Sequence, residues 1–469
     1  MSTYLATGSL FSGVGGLDKG LEAAGLGNVV WQSEIDPAAS SVLAKHWKCP
    51  NLGDVKNLDW SKVDPVDVLC GGFPCQPASS AGARRGRSDD RWLWPHFARA
   101  IAALRPRLVI AENVPGLLSV DGGAAFADVL GDLARLGYTA TWGMLSAFEL
   151  GACHRRDRLF IAAFADESDL PVLPPGPLLA THDGATWRHV QSSLFGSPTP
   201  IWPRSGLLSL SGVHVLRTSP WTVCPDAGEM PLLPTPAASN PNDGEDLGNW
   251  LARREAQVLR GLNGNGMGTP LAVAVRLLPT RQSRDGSHGG GRAKRLFDPR
   301  RSNDLDDAVL ALLPTPRATR GGSATETVLA LCPTSIRADA RRGGRSATAN
   351  RQAGSTPRTG MTLSDVAWSG DWGRYEPAVR RHEVAFGEDA PSPTETGPKG
   401  SSLLSPAFVR WMMMFPPKWC GELSRAAQLR CLGNAVVPAV SEAVARTVLA
   451  RGLPARASRP YPSRERLAV

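Results

Sequence analysis

Five short apolar runs, at residues 5–10, 29–31, 66–70, 108–111 and 159–163, punctuate the first third of the chain. A glycine or an acidic residue follows each within a few positions. Runs this short, closed by such residues, predict buried strands. Between them apolar residues return at helical spacing over 17–24, 94–104 and 124–136, the first stopped at Gly25. Strands alternating with amphipathic helices predict an α/β fold, with a mainly parallel, Rossmann-like sheet covered on both faces.

The pattern fades after about Asp169. Proline, glycine and serine rise, and a short phrase recurs: Leu232-Leu233-Pro234-Thr235-Pro236, Leu277-Leu278-Pro279-Thr280, Leu312-Leu313-Pro314-Thr315-Pro316 and Leu331-Cys332-Pro333-Thr334. Its copies start 45, 35 and 19 residues apart, too irregular for a solenoid. They read either as duplicated clips on an elaborated domain or as low-complexity drift. Residues 281–301 and 317–360, rich in Gly, Ser and Arg, are expected to form mobile loops. Order returns near Leu403, where Ser405-Pro406 opens a helix with proline in its first turn. A second helix is expected over 439–449. The expected organisation is a first domain at 1–170 and a smaller, irregular domain at 171–402. A return segment at 403–452 completes the first domain, and a basic tail covers 453–469.

Composition narrows the class. At 469 residues, 42% hydrophobic and 20% charged, the chain suits two or more globular domains. No run approaches the roughly 20 apolar residues of a membrane span. The amino terminus lacks a basic region followed by an apolar core, so no secretory signal is expected. Eight cysteines with no C-x-x-C pair argue against zinc and a disulfide framework, and suit a reducing cytoplasm. The net charge of +9 is uneven: 16 basic against 19 acidic residues over 1–170, 26 against 21 over 171–400, and 10 against 3 over 401–469. Of the 26 basic residues in the middle segment, 24 are arginine, whose planar fork suits phosphates and guanine edges. A GC-rich genome or a solvated basic face would give the same excess, so it supports nucleic-acid binding only mildly.

Candidate chemistry gathers at strand ends. Cys75 lies in Gly71-Gly72-Phe73-Pro74-Cys75-Gln76-Pro77, between two prolines and directly after a strand. The prolines fix the backbone and remove amide donors. A thiol on a stiff turn at the carboxyl end of a parallel strand is a candidate nucleophile, the alternative being a buried structural cysteine. Phe11-Ser12-Gly13-Val14-Gly15-Gly16 forms a strand-to-helix turn where a ligand can approach the backbone. Glu34 at the next strand end suits ribose hydroxyls, and Asp54 offers a second carboxylate. A glycine turn with two acids fits an adenosine moiety without a pyrophosphate, and S-adenosylmethionine is such a ligand. Glu112-Asn113-Val114-Pro115 ends another strand on the same edge. A half-buried glutamate there could have a raised pKa and deliver a proton, or could simply be an acid at a helix N-terminus. In His154-Arg155-Arg156-Asp157-Arg158, alternation places His154, Arg156 and Arg158 on one side of an extended segment. They could grip a base oxygen and phosphates, or form a salt-bridged surface strand. The stretch 79–91 holds Gly82, Gly86, Arg84, Arg85 and Arg87 and reads as a lid closing on DNA.

Taken together, these motifs resemble the cytosine-5 DNA methyltransferases of bacteria and phages, over about 1–165 and 402–450 and in the family's usual order. Phe11 to Gly16 resembles the cofactor loop, Glu34 the ribose acid and Asp54 the adenine-binding acid. Gly71 to Pro77 resembles the nucleophile loop, Glu112-Asn113-Val114 the base-holding motif, and His154 to Arg158 the arginine motif, with histidine where the family often has glutamine. Leu432-Gly433-Asn434-Ala435-Val436-Val437-Pro438 resembles the last motif, which completes the cofactor pocket.

The resemblance implies an S-adenosylmethionine-dependent methyltransferase domain with an irregular target-recognition domain at 171–402. It implies that Phe11, Gly13, Gly15, Gly16, Leu17, Glu34, Asp54, Asn434 and Val436 bind cofactor, with Ile35 as apolar packing. Phe73, Pro74, Gln76, Ser79, Arg84, Arg85, Arg87 and Asn113 would contact substrate. Cys75 would add to carbon 6 of a flipped cytosine, Glu112 would hold a proton at ring nitrogen 3, Arg158 would contact the carbonyl oxygen and Arg156 would support the nucleophile. The expected partner is double-stranded DNA, with a restriction endonuclease, where one is paired, on another chain; a monomer is expected. Three other readings are an RNA-modifying relative, a Rossmann oxidoreductase and a catalytically silent DNA-binding protein. The long arginine-rich insert disfavours the first. The second leaves Cys75 and Glu112 unexplained, and the intact nucleophile loop disfavours the third.

Overall fold

The computed structural model describes residues 5–74, 92–165, 177–184, 187–189, 202–216, 218–221, 231–238, 243–245, 247–259, 270–277, 372, 375–397 and 402–450. Two compact units are present: Met1–Arg276 with Ala378–Val469, and Leu277–Pro377. The main sheet and the site described below lie in the first.

Ten strands form the main sheet, in the order β2-β1-β3-β4-β6-β5-β9-β10-β7-β8. β1 (Ala6–Leu10), β2 (Asn28–Ser33), β3 (Val68–Gly72) and β4 (Leu108–Asn113) pair in parallel. They coincide with the expected strands; being covered on both faces favours apolar residues, with small or hydrogen-bonded polar ones such as Thr7, Ser9 and Gln32 buried among them. Helices α1 (Gly16–Ala23), α2 (Pro37–His46), α3 (Trp94–Leu104) and α4 (Ala124–Arg135) alternate with them. The start of α2 is encoded locally: Asp36 accepts a hydrogen bond from the Ala39 amide at 2.9 Å, with Pro37 in the first turn.

β5 (Thr139–Leu145) and β6 (Arg158–Phe164) are antiparallel to each other, and β6 is antiparallel to β4. The link between them, residues 146–157, carries a 3-10 turn at Ala147–Leu150 and no α-helix of the kind that usually covers a parallel crossover. The sheet then continues through β9 (Ser205–Ser209), β10 (Gly212–Val215), β7 (Leu178–His182) and β8 (Trp187–His189), all antiparallel. Parallel pairing is thus confined to the half of the sheet that carries the site. Trp94, Phe97, Phe126 and Trp142 are fully buried and anchor the core.

Further along lie α5 (Leu247–Leu259), α6 (Leu271–Ala274), α7 (Glu376–Phe386) and the hairpin β11 (Thr394–Thr396) with β12 (Ser402–Leu404). The chain returns as α8 (Pro406–Met412), α9 (Arg425–Asn434) and α10 (Pro438–Ala450). α8 and α10 match the two expected helices, and α10 docks on α1. There, a Cβ at Gly16 would meet the Val436 carbonyl at 2.0 Å, and one at Gly20 would meet Ser441 Oγ at 2.0 Å. Ser441 Oγ donates to the Gly16 carbonyl at 3.0 Å, and Trp419 Nε1 donates to the Val14 carbonyl at 2.9 Å. These glycines permit close helix contact, and the return segment pins the turn after β1.

Candidate active site

A cavity of about 400 Å³ opens at the carboxyl ends of β1 to β4, the edge where open α/β sheets bind ligands. Its lining includes Phe11, Gly13, Glu34, Ile35, Asp54, Phe73, Pro74, Glu112, Asn113, Arg158 and Asn434. Eleven expected site residues are therefore brought together from seven separate stretches of chain.

On one side, Glu34 Oε2 accepts from the Gly13 amide at 2.8 Å and Oε1 accepts from the Asp36 amide at 2.8 Å. A carboxylate has about four acceptor sites, so capacity remains for hydroxyls of a ligand. Gly13 has φ 56° and nothing within 4 Å of where a Cβ would stand, leaving open space over the turn. Phe11, beside it, has φ 53°, a conformation that side-chain-bearing residues adopt at some cost. Asp54 caps its own turn through the Lys56 amide at 3.0 Å. Ile35 is 69% exposed on the rim, an unusual place for a large aliphatic group unless something covers it.

On the other side, Glu112 is buried at the end of β4 and pairs with Arg158 Nε at 2.9 Å. The antiparallel register sets Asn113 against Leu159, so the start of β6 lies beside the end of β4. Burial pushes the Glu112 carboxyl above its ordinary value, against the opposing pull of Arg158 and Arg156. Asn113 Nδ2 donates to the Phe73 carbonyl at 3.0 Å, tying β4 to the stretch that leads into Cys75. Phe73 is buried among Trp92, Trp94 and Phe97. Cys75, Gln76, Ser79, Arg84, Arg85 and Arg87 lie outside the described residues.

Other expected residues stand apart from the cavity. Gly15 faces Trp47, Gly16 faces Val436, and Leu17 is buried on α1. Val436 contributes its backbone to that packing. His154, Arg156 and Arg158 do not face one way: Arg156 has φ 47°, so the segment is not extended before β6 begins at Arg158. Arg156 turns inward and donates to the carbonyls of Pro236, Gly433 and Ala435 at 3.1, 2.8 and 2.6 Å. His154 is fully buried, and burial with Arg156 nearby pushes it down to about 3, so it is neutral rather than a cation.

Gly433 and Ala435 line the cavity within the expected closing motif, while Ser33, Asp36, Gly53, Arg430 and Cys431 also line it and are not among the expected site residues. Asp36 could have been found from the Asp-Pro start of α2. Arg430, which pairs with Asp36 across the rim, gives no local signal, because the two are 394 residues apart.

The stretch holding most of these groups matches a family model described as C-5 cytosine-specific DNA methylase, over residues 5–193. The chain is 36% identical over 170 residues to the type II methyltransferase M.NgoBI of Neisseria gonorrhoeae, spanning 36% of this chain and 53% of that one. To M.Eco47II of Escherichia coli it is 40% identical over 163 residues, covering 34% and 39%. To M.MspI of a Moraxella species it is 30% identical over 177 residues, covering 37% and 42%. This chain therefore spans about half or less of the length of these relatives. The matched stretch has the Rossmann-like α/β architecture expected of it.

Proposed function

We propose that this chain transfers a methyl group from S-adenosylmethionine to carbon 5 of cytosine in duplex DNA. The observation that carries this reading is the buried Glu112–Arg158 pair, 2.9 Å apart, opening into the same cavity as Glu34 and Gly13. One carboxylate would take sugar hydroxyls and another, with an arginine, a base.

The cavity suits the cofactor by the chemistry of its donors: spare acceptor sites on Glu34, a second carboxylate at Asp54, and apolar surface from Phe11, Ile35 and Val55. S-adenosylmethionine would supply an electrophilic methyl group there. Carbon 5 of cytosine is a weak nucleophile until the ring is made electron-rich. Cys75, as thiolate, would add to carbon 6, while Glu112 would hold a proton at ring nitrogen 3. A carboxyl raised by burial keeps that proton to higher pH than an exposed one. Arg158 would hold the carbonyl oxygen of the base and keep Glu112 oriented. After methylation, a base from solvent takes the carbon 5 proton, the carbon–sulfur bond breaks to release the Cys75 thiolate, and the ring's double bond is restored. The base must leave the duplex to reach this cavity, at a cost of about a few kcal/mol.

Residues 171–402 are proposed to carry target recognition, residues 1–170 and 403–452 the chemistry, and the arginine-containing loop after Cys75 closure on DNA. The relatives' type II designation supports pairing with a separate restriction endonuclease. Bisulfite sequencing of DNA from cells expressing the protein should reveal methylated cytosines in one sequence context. Cys75→Ser should abolish that signal and retain cofactor binding. Normal turnover by this variant, or failure of wild type to crosslink to 5-fluorocytosine in its target duplex, would overturn the mechanism.

A further inference from the structure

Residues 231–238 have no regular secondary structure, yet they are gripped from two sides. Leu233 is buried and its amide donates to the Cys153 carbonyl at 2.9 Å. Thr235 Oγ1 accepts from the Arg156 amide at 3.3 Å, and the Pro236 carbonyl accepts from Arg156 Nη1 at 3.1 Å. The same guanidinium reaches the carbonyls of Gly433 and Ala435. On the far side the backbone presses on α9: a Cβ at Gly433 would lie 2.3 Å from Ala237 C and 2.3 Å from Ala238 N. Gly433, Asn434 and Ala435 are themselves cavity wall.

The phrase Leu232-Leu233-Pro234-Thr235-Pro236 suits this task chemically. Arginine has only donors, and a stretch with two prolines presents carbonyls and a hydroxyl while offering few amides of its own. Fixed proline dihedrals also leave the stretch less freedom to lose on docking.

We propose that residues 233–238 are a positioning clip that holds the 433–435 wall of the cofactor cavity, with Thr235 setting its register on Arg156. This rests on the reading of the cavity as an S-adenosylmethionine site. Thr235 is a positioning residue, acting on the cofactor through Arg156 and the wall. The insert expected to read DNA is thereby fastened to the pocket that holds the methyl donor.

The test compares Thr235→Val, which keeps the shape and removes the acceptor, with Thr235→Ser, which restores a hydroxyl. Cofactor Kd by calorimetry, and KM and kcat with saturating duplex, are measured on the full chain. Thr235→Val should raise Kd and KM for S-adenosylmethionine about three- to tenfold, as expected for one lost hydrogen bond. Its kcat at saturating cofactor should stay within about twofold, and Thr235→Ser should lie close to wild type. Amides of 434–437 should exchange faster in the valine variant. Equal losses in both variants, a fall in kcat with unchanged KM, or no change at all would overturn the clip. If wild type binds no S-adenosylmethionine, the functional reading falls, and unchanged exchange at 434–437 in Thr235→Val then rejects the clip separately. Thr235→Ala replaces the valine variant if that one does not fold.

Discussion

Replacing Asp18 by asparagine would remove a charge from beneath the turn at 11–16 while keeping the side chain's shape. Asp18 is fully buried in the first turn of α1. Its Oδ1 accepts from Ser9 Oγ at 2.5 Å and its Oδ2 from Gln32 Nε2 at 2.6 Å. Ser12 Oγ donates to Ser9 Oγ at 2.9 Å, so a chain of hydrogen bonds runs from the loop to this carboxylate. Burial raises the carboxyl from an ordinary 3.8 to about 6, against the lowering effect of the Ser9 and Gln32 bonds and with a small upward push from Glu22.

Because the folded value lies above the unfolded one, the native chain still holds this proton between pH 3.8 and about 6, where the unfolded chain has released it. The native state binds more protons there, so stability falls as pH rises through that window and is level above it. The separation corresponds to about 3 kcal/mol. Asparagine has no such dependence. Asp36, Asp59 and Glu422, whose carboxyls are held below their ordinary values, titrate alike in both proteins and cancel in the difference. The unfolding free energy of Asp18→Asn minus that of wild type should therefore rise by about 2 kcal/mol between pH 4 and pH 7, since the unfolded carboxyl is already half ionised at pH 4. At pH 4 the variant should be equal or slightly weaker, since its amide must donate to Gln32 Oε1 after that amide turns. Urea titrations followed by tryptophan fluorescence at each pH would measure this, with unchanged m-values showing that both proteins unfold alike. A difference that stays constant within about 0.5 kcal/mol from pH 4 to pH 7 would mean that Asp18 is ionised throughout, and would refute the reasoning.

Three further outcomes are expected. Glu112→Gln should lower single-turnover methyl transfer by about 10²- to 10⁴-fold while circular dichroism shows a folded chain; retention of more than about a tenth of the rate would remove Glu112 from proton delivery. Gly16→Ala, whose new methyl would sit 2.0 Å from the Val436 carbonyl, should destabilise the protein by about 1–3 kcal/mol in urea unfolding. Arg430→Ala removes an ion pair whose side chains are 47% and 28% exposed, so it should cost less than about 1 kcal/mol, and the loss should shrink in high salt.

Most of the parallel half of the sheet was legible because burial on both faces writes itself as short, mostly apolar runs, such as Val29-Val30-Trp31 and Leu108-Val109-Ile110-Ala111. β5 escaped notice: Thr139-Ala140-Thr141-Trp142 mixes polar and apolar residues, although all are buried. α2 was missed as well, its small residues Ala38, Ala39, Ser40 and Ser41 giving little helical periodicity despite the Asp36-Pro37 start. Glu34 and Glu112 were legible as acids at strand ends, since that placement follows from strand–helix alternation alone; Asp54, expected at another strand end, follows no strand and instead caps a short turn. Gly16 reads from the sequence as a ligand glycine and is instead a contact glycine, a difference set by a helix more than 400 residues away.

By itself, the chain's order of residues determined which strands are buried, where each motif leaves the sheet, and hence that the chemistry gathers on one edge. Those are consequences of local burial and backbone stiffness, which neighbouring residues encode. Tertiary structure alone decided that Arg158 meets Glu112 through antiparallel pairing, that Arg156 turns away to hold residues 236, 433 and 435, and that Arg430 closes the rim on Asp36. Each of these joins groups far apart in sequence. Their partnership depends on how whole elements pack, and no local pattern of polar and apolar residues records it.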